Sequence, residues 1–305
     1  MGASCFSEPF HLKTRTVLGR IAATLALIAL VLAAYFLWAR PHQLRWGATA
    51  AEVRRPMPGD ELDPHPRFLA TRAITIDAAP AQIWPWLVQM GYGRAGFYGY
   101  DLIENLGSPR GLHSADRILP EFQHFKPGDP VPLSAAGGLV FHALEPDRYL
   151  IWTGENHVGA FVWALYPVDA GHTRLVSRIR WSHHWTKPLP LAFDLFTEFT
   201  DHLAVRKVLE GVKGRAEGRI EPMAPANVAF AVYAAAALLF VAALLLNLLR
   251  PFTAGRWLAG LAAGGAWLIT WYSPVPLWLG FLLELFAFCG LWAAYRRPRA
   301  TAAPP

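Results

Sequence analysis

Charge and cysteine are both scarce in this chain. Asp, Glu, Lys and Arg make up 16% of its 305 residues, against roughly 25% in an ordinary soluble domain. Hydrophobic residues reach 54%, and they are clustered, which predicts membrane spans rather than an enlarged core. The two cysteines, Cys5 and Cys289, lie outside the central stretch. No disulfide braces that stretch, and cysteine usage says nothing of its compartment. No paired-cysteine or H-E-x-x-H spacing is present, nor a G-x-S-x-G elbow, nor a basic helix of nucleic-acid type. These absences set aside a zinc site, a serine nucleophile and nucleic acid as partner, and no cofactor is expected. The net charge of +6 comes mainly from arginine. Much of it flanks hydrophobic segments, where anionic lipid headgroups are the natural counter-charge.

Long apolar runs are plentiful. Residues 21–38, IAATLALIALVLAAYFLW, hold no charge. With their flanks they predict a transmembrane helix over 17–39, after a polar arm at 1–16. Tyr35 and Trp38 sit near its end, as interfacial aromatics do. A cleaved signal peptide is the rival, but the run exceeds the usual ~7–15 residue core and no A-x-A site follows. Three further spans are predicted at 228–249, 257–272 and 275–295, with a basic tail at 296–305. Glu284 is the one acid deep in the last. Arg250 and Arg256 lie in one short loop and Arg296, Arg297 and Arg299 in the tail, whereas 273–276 is uncharged. The positive-inside tendency then puts both termini in the cytoplasm of an integral (bacterial inner) membrane protein, with the central domain outside.

Between the spans the chain changes character. Residues 40–70 are rich in Arg and Pro and predict a linker, lying along the membrane surface, where Arg40, Arg45, Arg54 and Arg55 would touch headgroups, or simply solvated. Residues 71–217 form the globular unit, and 218–227 a second linker. RAITID at 72–77 alternates as a strand does. A helix opens at Pro80 and ends at Gly91, and Pro85 within it predicts two short helices with a break. Apolar runs at 139–144, 149–153, 160–166 and 173–181 are separated by turn residues, which predicts an antiparallel meander. In the last run Leu175, Ile179 and Trp181 share one face, while Arg174, Arg178 and Arg180 share the other and are expected to be solvated. Residues 191–217 carry an apolar stripe through Phe196, Phe199, Leu203, Val205, Leu209, Val212 and Ala216, predicting a long helix against the sheet.

Four segments carry a family resemblance: RAITIDAAPAQIWPWLVQMG, GRAGFYGYDLIENL, ADRILPEFQHFKPGD, and TRLVSRIRW with the closing helix. Over about 70–217 the chain resembles the SRPBCC superfamily (START-related, polyketide cyclase/dehydrase-like). The resemblance implies an α+β helix-grip fold, an antiparallel sheet wrapped on a long C-terminal helix, here carried by about four transmembrane helices. It also implies a deep apolar cavity between sheet and helix. Members bind lipids, sterols, polyketides or hormones, and some are cyclases or hydrolases.

The stretch 83–107, IWPWLVQMGYGRAGFYGYDLIENLG, concentrates polar and aromatic residues in a glycine-broken loop. Candidate ligand contacts are Trp84, Gln89, Arg94, Tyr98, Tyr100 and, from the sheet, Trp163. Arg94 suits a carboxylate or phosphate and Tyr98 a carbonyl; Asp101 and Glu104 are candidate general bases. The alternative is structural, with Arg94 pairing Asp101 or Glu104 to pin the loop. Glu198 and His202, four apart on the closing helix, and His183-His184 lack a third metal ligand at a useful spacing. Three functions follow. The first is a membrane-anchored binding protein for a hydrophobic or amphipathic, lipid-like molecule. The second is a cyclase, dehydratase or hydrolase acting on one. The third is a structural or regulatory membrane protein with a closed core. Ligand identity and oligomeric state are not set by the sequence.

Overall fold

The computed structural model describes residues 32–101, 113–134, 137–154, 159–182, 190–220 and 277–296, with isolated residues between 22 and 30, 227 and 238, and 258 and 265. The chain divides into two compact units, Arg40–Asn227 and a second that gathers Met1–Ala39 with Val228–Pro305.

In the first unit the alternating segments become strands Phe68–Ile76 (β1), Pro130–Ser134 (β2), Gly137–Glu145 (β3), Tyr149–Thr153 (β4), Ala160–Pro167 (β5) and Thr173–Trp181 (β6). They make one six-stranded antiparallel sheet of order β1-β6-β5-β4-β3-β2. The sequence-based meander accounts for β3 to β6. It does not predict β2, whose Pro130 and Pro132 disguise it. Prolines lack a ladder donor, but β2 pairs only with β3 and lies at the sheet's edge, where an unpaired side is tolerated.

Short helices Arg40–Leu44 (α1) and Ala50–Arg54 (α2) precede β1, and Pro80–Val88 (α3) follows it. Pro85 does not break α3. Its missing N–H forfeits one helical bond, while Ile83, Trp86, Leu87 and Val88 are all buried by keeping the helix whole. The 27-residue helix Pro190–Ala216 (α4) packs on β1 and α3. Val205, Val208, Leu209 and Val212 enter the main core with Ile83, Leu87, Trp152, Trp163 and Leu175. The predicted stripe runs out toward the N-terminus of α4, where Phe196 is 63% exposed.

The other face of the sheet is covered rather than wet. Met57, with Ala48 and Leu62 beside it, packs on Ala73, Ile151, Val162, Ala164 and Val176 in a second core. The β6 arginines are the fastening. Arg178, 2% exposed, donates to Thr71 Oγ1 (3.0 Å), to the Glu52, Val53 and Arg55 carbonyls (2.8, 3.0 and 2.8 Å) and to Asp60 (2.9 Å). Arg174 grips Glu52 at 2.7 Å, and Arg180 donates to the Asp63 carbonyl at 2.8 Å. The solvated face expected for these arginines is therefore corrected. Residues 46–63 lie across it, and the guanidinium groups satisfy the arm's own carbonyls and carboxylates. A capping box starts α2, with Thr49 Oγ1 accepting from Glu52 N (3.2 Å) and Glu52 Oε2 from Thr49 N (2.7 Å). Within the arm Arg45 and Arg54 are exposed, whereas Arg55 stacks on Tyr166 at 4.7 Å.

In the second unit Tyr35–Ala39 forms a π-helical turn and Leu277–Arg296 a helix (α5). Among the described residues no helix is long and apolar enough to cross a membrane. Most of the predicted spans at 228–249 and 257–272, and the first part of that at 17–39, lie outside the described residues, as do His183 and His184.

Candidate functional site

Inward-facing side chains on neighbouring strands make the floor of a cavity. Trp152 on β4 and Phe161 on β5 are register partners, and Trp163 lies two residues along the same face. The three rings interlock, with Phe161 and Trp163 stacked at 5.0 Å and Trp152 edge-on to both at 5.6 and 5.7 Å. Asp201, Ala204, Val205 and Val208 of α4 face them, Leu133 and Ser134 of β2 close one side, and Phe97, Gly99 and Tyr100 form the remaining wall. The cavity, partly open to solvent, has a volume of about 250 Å³, just under the ~300–1,000 Å³ of most small-molecule sites.

A glycine turn shapes the loop wall. Gly91 and Gly96 exchange backbone hydrogen bonds of 3.1 Å, and both take positive φ. Tyr98 is also left-handed, at φ 62°, a conformation uncommon outside glycine. Its phenol donates to the Trp86 carbonyl (3.0 Å) and accepts from Gln89 Nε2 (2.9 Å), which holds it there. Gln89 is fully buried; its amide oxygen accepts from Leu119 N (2.9 Å) and Gln123 Nε2 (3.1 Å). Arg94 donates to the Val88 and Phe122 carbonyls (3.0 and 3.3 Å) and lies over the Phe122 ring at 4.7 Å. Burial lowers the pKa of its guanidinium, partly offset by Asp129 and Tyr98.

Of the residues singled out in the sequence, Tyr100 and Trp163 line the cavity. Gln89, Arg94 and Tyr98 knit the loop to α3 and to the segment around 117–123. Trp84 is half-buried against the main core. Asp101 is 2% exposed. Its oxygens accept from Ser114 Oγ at 2.8 Å and Ser114 N at 3.3 Å and meet His113 Nδ1 at 3.3 Å. Arg94 thus bonds to carbonyls rather than to Asp101. Glu104 lies outside the described residues.

The sequence does not single out Asp201, which is the cavity's carboxylate. Arg72 of β1, 1% exposed, donates to it at 2.6 Å and to the Gln43 carbonyl at 2.8 Å. The same carbonyl meets His202 Nδ1 at 3.1 Å, and Glu198 takes a two-pronged contact from Arg40, 2.7 Å at each oxygen. These contacts bind α1 to α4 and account for the Glu198/His202 pair. Burial, then the charges of Arg72 and Arg206, push the His202 pKa down to about 3, so the ring is neutral. Since a carbonyl faces it, Nδ1 carries the proton. Among the described residues no group of three His, Cys, Asp or Glu is placed to hold a metal.

A second cleft, about 700 Å³, lies along the C-terminal half of α4 and is lined by Lys207, Lys213, Arg215 and Arg219 with Glu210. Lys213 is bonded to Glu217 (2.7 Å) and Arg215 to the Ala115 carbonyl (2.7 Å), and Arg219 also pairs with Glu217. These three cations are already engaged.

No family model and no curated protein matches this chain. Solved structures with some similarity include a conserved protein of unknown function from Enterococcus faecalis (16% identity, 50% of this chain and 74% of that one, TM-score 0.27). Others are protein NE0264 from Nitrosomonas europaea (14%, 49% and 94%, TM-score 0.30) and the Aha1 dimer from Colwellia psychrerythraea (14%, 50% and 98%, TM-score 0.26).

Proposed function

We propose that this chain is a membrane-anchored binding protein of helix-grip type, taking a small hydrophobic or amphipathic molecule between its sheet and α4. The observation that carries this is the cavity. Its walls are mostly aromatic and aliphatic, and its acid, Asp201, already has its charge matched by Arg72. An apolar guest is favoured there by the water it displaces. About 250 Å³ suits one short acyl chain or a compact ring system, not a whole diacyl lipid.

Membrane anchoring is supported by the four apolar runs of the sequence and by the gathering of 1–39 with 228–305 into one compact unit. Leu30, Leu37 and Trp38, and Trp278, Phe286 and Trp292 of α5, are largely exposed, as lipid-facing side chains are. The charge pattern of the short loops supports an outer-side position for the globular unit. An enzyme reading needs a carboxylate at the cavity without a cation beside it. Asp201 has Arg72, and Asp101 is bonded to Ser114 and His113.

The test is native mass spectrometry of the full chain released from mild detergent, beside an Ala204→Trp variant. Ala204 is exposed where α4 borders the cavity, so the larger ring plugs the space without disturbing the core. A stoichiometric apolar species on the wild type, absent from the variant, is expected. A wild type that stays bare after incubation with extracted lipid would overturn the proposal.

A further inference from the structure

The ion pair at the cavity wall shows a guest only one of its two halves. Arg72 and Asp201 meet at 2.6 Å, and their side chains are 1% and 13% exposed. The cation is hidden and the anion is not. One turn earlier on α4 the order is reversed, with Arg40 35% exposed and Glu198 5%. Asp201 lines the cavity and Arg72 does not. Arg72 is instead held from a second side by the Gln43 carbonyl at 2.8 Å. A guest therefore meets the carboxylate and not the guanidinium.

That order selects among polar head groups. An ionised carboxylate only accepts hydrogen bonds, and its two oxygens offer about four sites, so it can hold Arg72 and a guest at once. The pair as a whole is neutral, so a guest charge of either sign would lack a counter-ion. Among the described lining residues there is no Lys, Arg or His, and burying an unpaired charge is costly. A carboxylate guest would also face the like charge of Asp201. A hydroxyl meets none of these obstacles, and it donates to a charged acceptor, the stronger kind of hydrogen bond. Resting on the binding role proposed above, we infer that the guest is an uncharged alcohol. Its hydroxyl donates to Asp201, and its hydrocarbon part lies against Trp163, Val205 and Val208. The competing role for the pair is bracing alone, since it also ties α4 to β1.

Probes of equal chain length separate these roles: octane, 1-octanol, octanoate and octylammonium, each titrated calorimetrically at pH 7.5 into the full chain in maltoside micelles. The plugged Ala204→Trp variant supplies the blank for partition into detergent. 1-Octanol should bind tighter than octane by about tenfold or more, as one hydrogen bond to a charged acceptor supplies, and tighter than either ion. Asp201→Asn should shrink that preference and relieve the exclusion of octanoate, since the wall then carries no negative charge. If octane and 1-octanol bind the wild type equally, the pair is a brace; this inference falls and the binding role survives. If either ion binds tightest, the guest is charged, with the same consequence. If no probe binds the wild type above the plugged variant, the binding role falls and takes the inference with it. Should Asp201→Asn fail to fold, the ratios among the probes on the wild type still decide.

Discussion

Gly211 of α4 lies directly beneath Tyr98. A Cβ added at Gly211 would overlap the Tyr98 carbonyl oxygen and stand 2.7 Å from Tyr98 Cβ. The closing helix can approach the loop this closely only because that position has no side chain. Gly211→Ala should therefore destabilise the globular unit by about 1–3 kcal/mol, despite Ala's better helix propensity. Thermal melting checks it. A neutral or stabilising effect, as at an exposed helical glycine, would show that the loop yields freely.

Arg178 is the centre of the contacts that hold the 46–63 arm. Arg178→Met removes a donor from the Glu52, Val53 and Arg55 carbonyls in a covered site and leaves Asp60 with Met57 N (3.0 Å) and Arg180 (3.5 Å). A loss of about 3–5 kcal/mol is expected, as for breaking a buried pair, or roughly 6–20 °C in Tm for a unit of this size. Arg178→Lys should recover little, because one ammonium cannot reach several acceptors at once. Cleavage of the arm by added trypsin after Arg54 should accelerate in both variants. An unchanged cleavage rate would contradict the clamp.

Acid should act in two stages. His202 is neutral in the fold, with its pKa lowered from 6.5 to about 3. The unfolded chain takes up a proton below 6.5 while the fold does not, so stability is full above that value. It falls by about 1.4 kcal/mol per pH unit toward 3. Glu52 adds a second loss. Burial raises its pKa, but the hydrogen bonds from Arg174 and Thr49 outweigh this and hold it at about 2 against 4.5. Its contribution is present above 4.5 and fades as pH drops toward 2. Melting curves between pH 7.5 and 3 should show a decline beginning near 6.5 and steepening below 4.5. His202→Asn should remove the first part alone; a wild-type-like decline from 6.5 in that variant would assign it elsewhere.

The membrane arrangement is tested by accessibility. In a background lacking Cys5 and Cys289, Arg54→Cys should react with a membrane-impermeant maleimide in intact cells whose outer envelope has been opened. A cysteine at Arg299 should react only after lysis. The reverse pattern would invert the orientation, and extraction of the full chain by alkaline carbonate would rule out spanning helices.

Alternation of apolar residues was enough to locate β3 to β6 and the long helix, because period two and period 3.6 are written locally. What covers each face is not local. TRLVSRIRW shows two faces but cannot show that an arm more than a hundred residues upstream lies on the second. The Thr49-x-x-Glu52 capping signal in that arm was the available hint that it is structured. Within 83–107 the density of polar groups is legible, yet several of their partners, among them Ser114, Leu119, Phe122 and Gln123, come from 113–123. Asp201 escapes a stripe-based reading of α4, which assigns its polar positions to solvent. Its partner Arg72 looks on paper like an ordinary strand arginine.

The covered sheet face also sets an order of events during synthesis. Arm and strand meet across long separations, 122 residues for Glu52 to Arg174 and 118 for Asp60 to Arg178. Met57 and Leu62 therefore emerge from the ribosome well before β6 exists to receive them. Closing so large a loop is entropically slow, so the arm must wait with its apolar side chains uncovered. Fragments that start near residue 70 would omit it and leave Val162, Ala164 and Val176 bare. The compact unit accordingly begins at α1, not at the first strand.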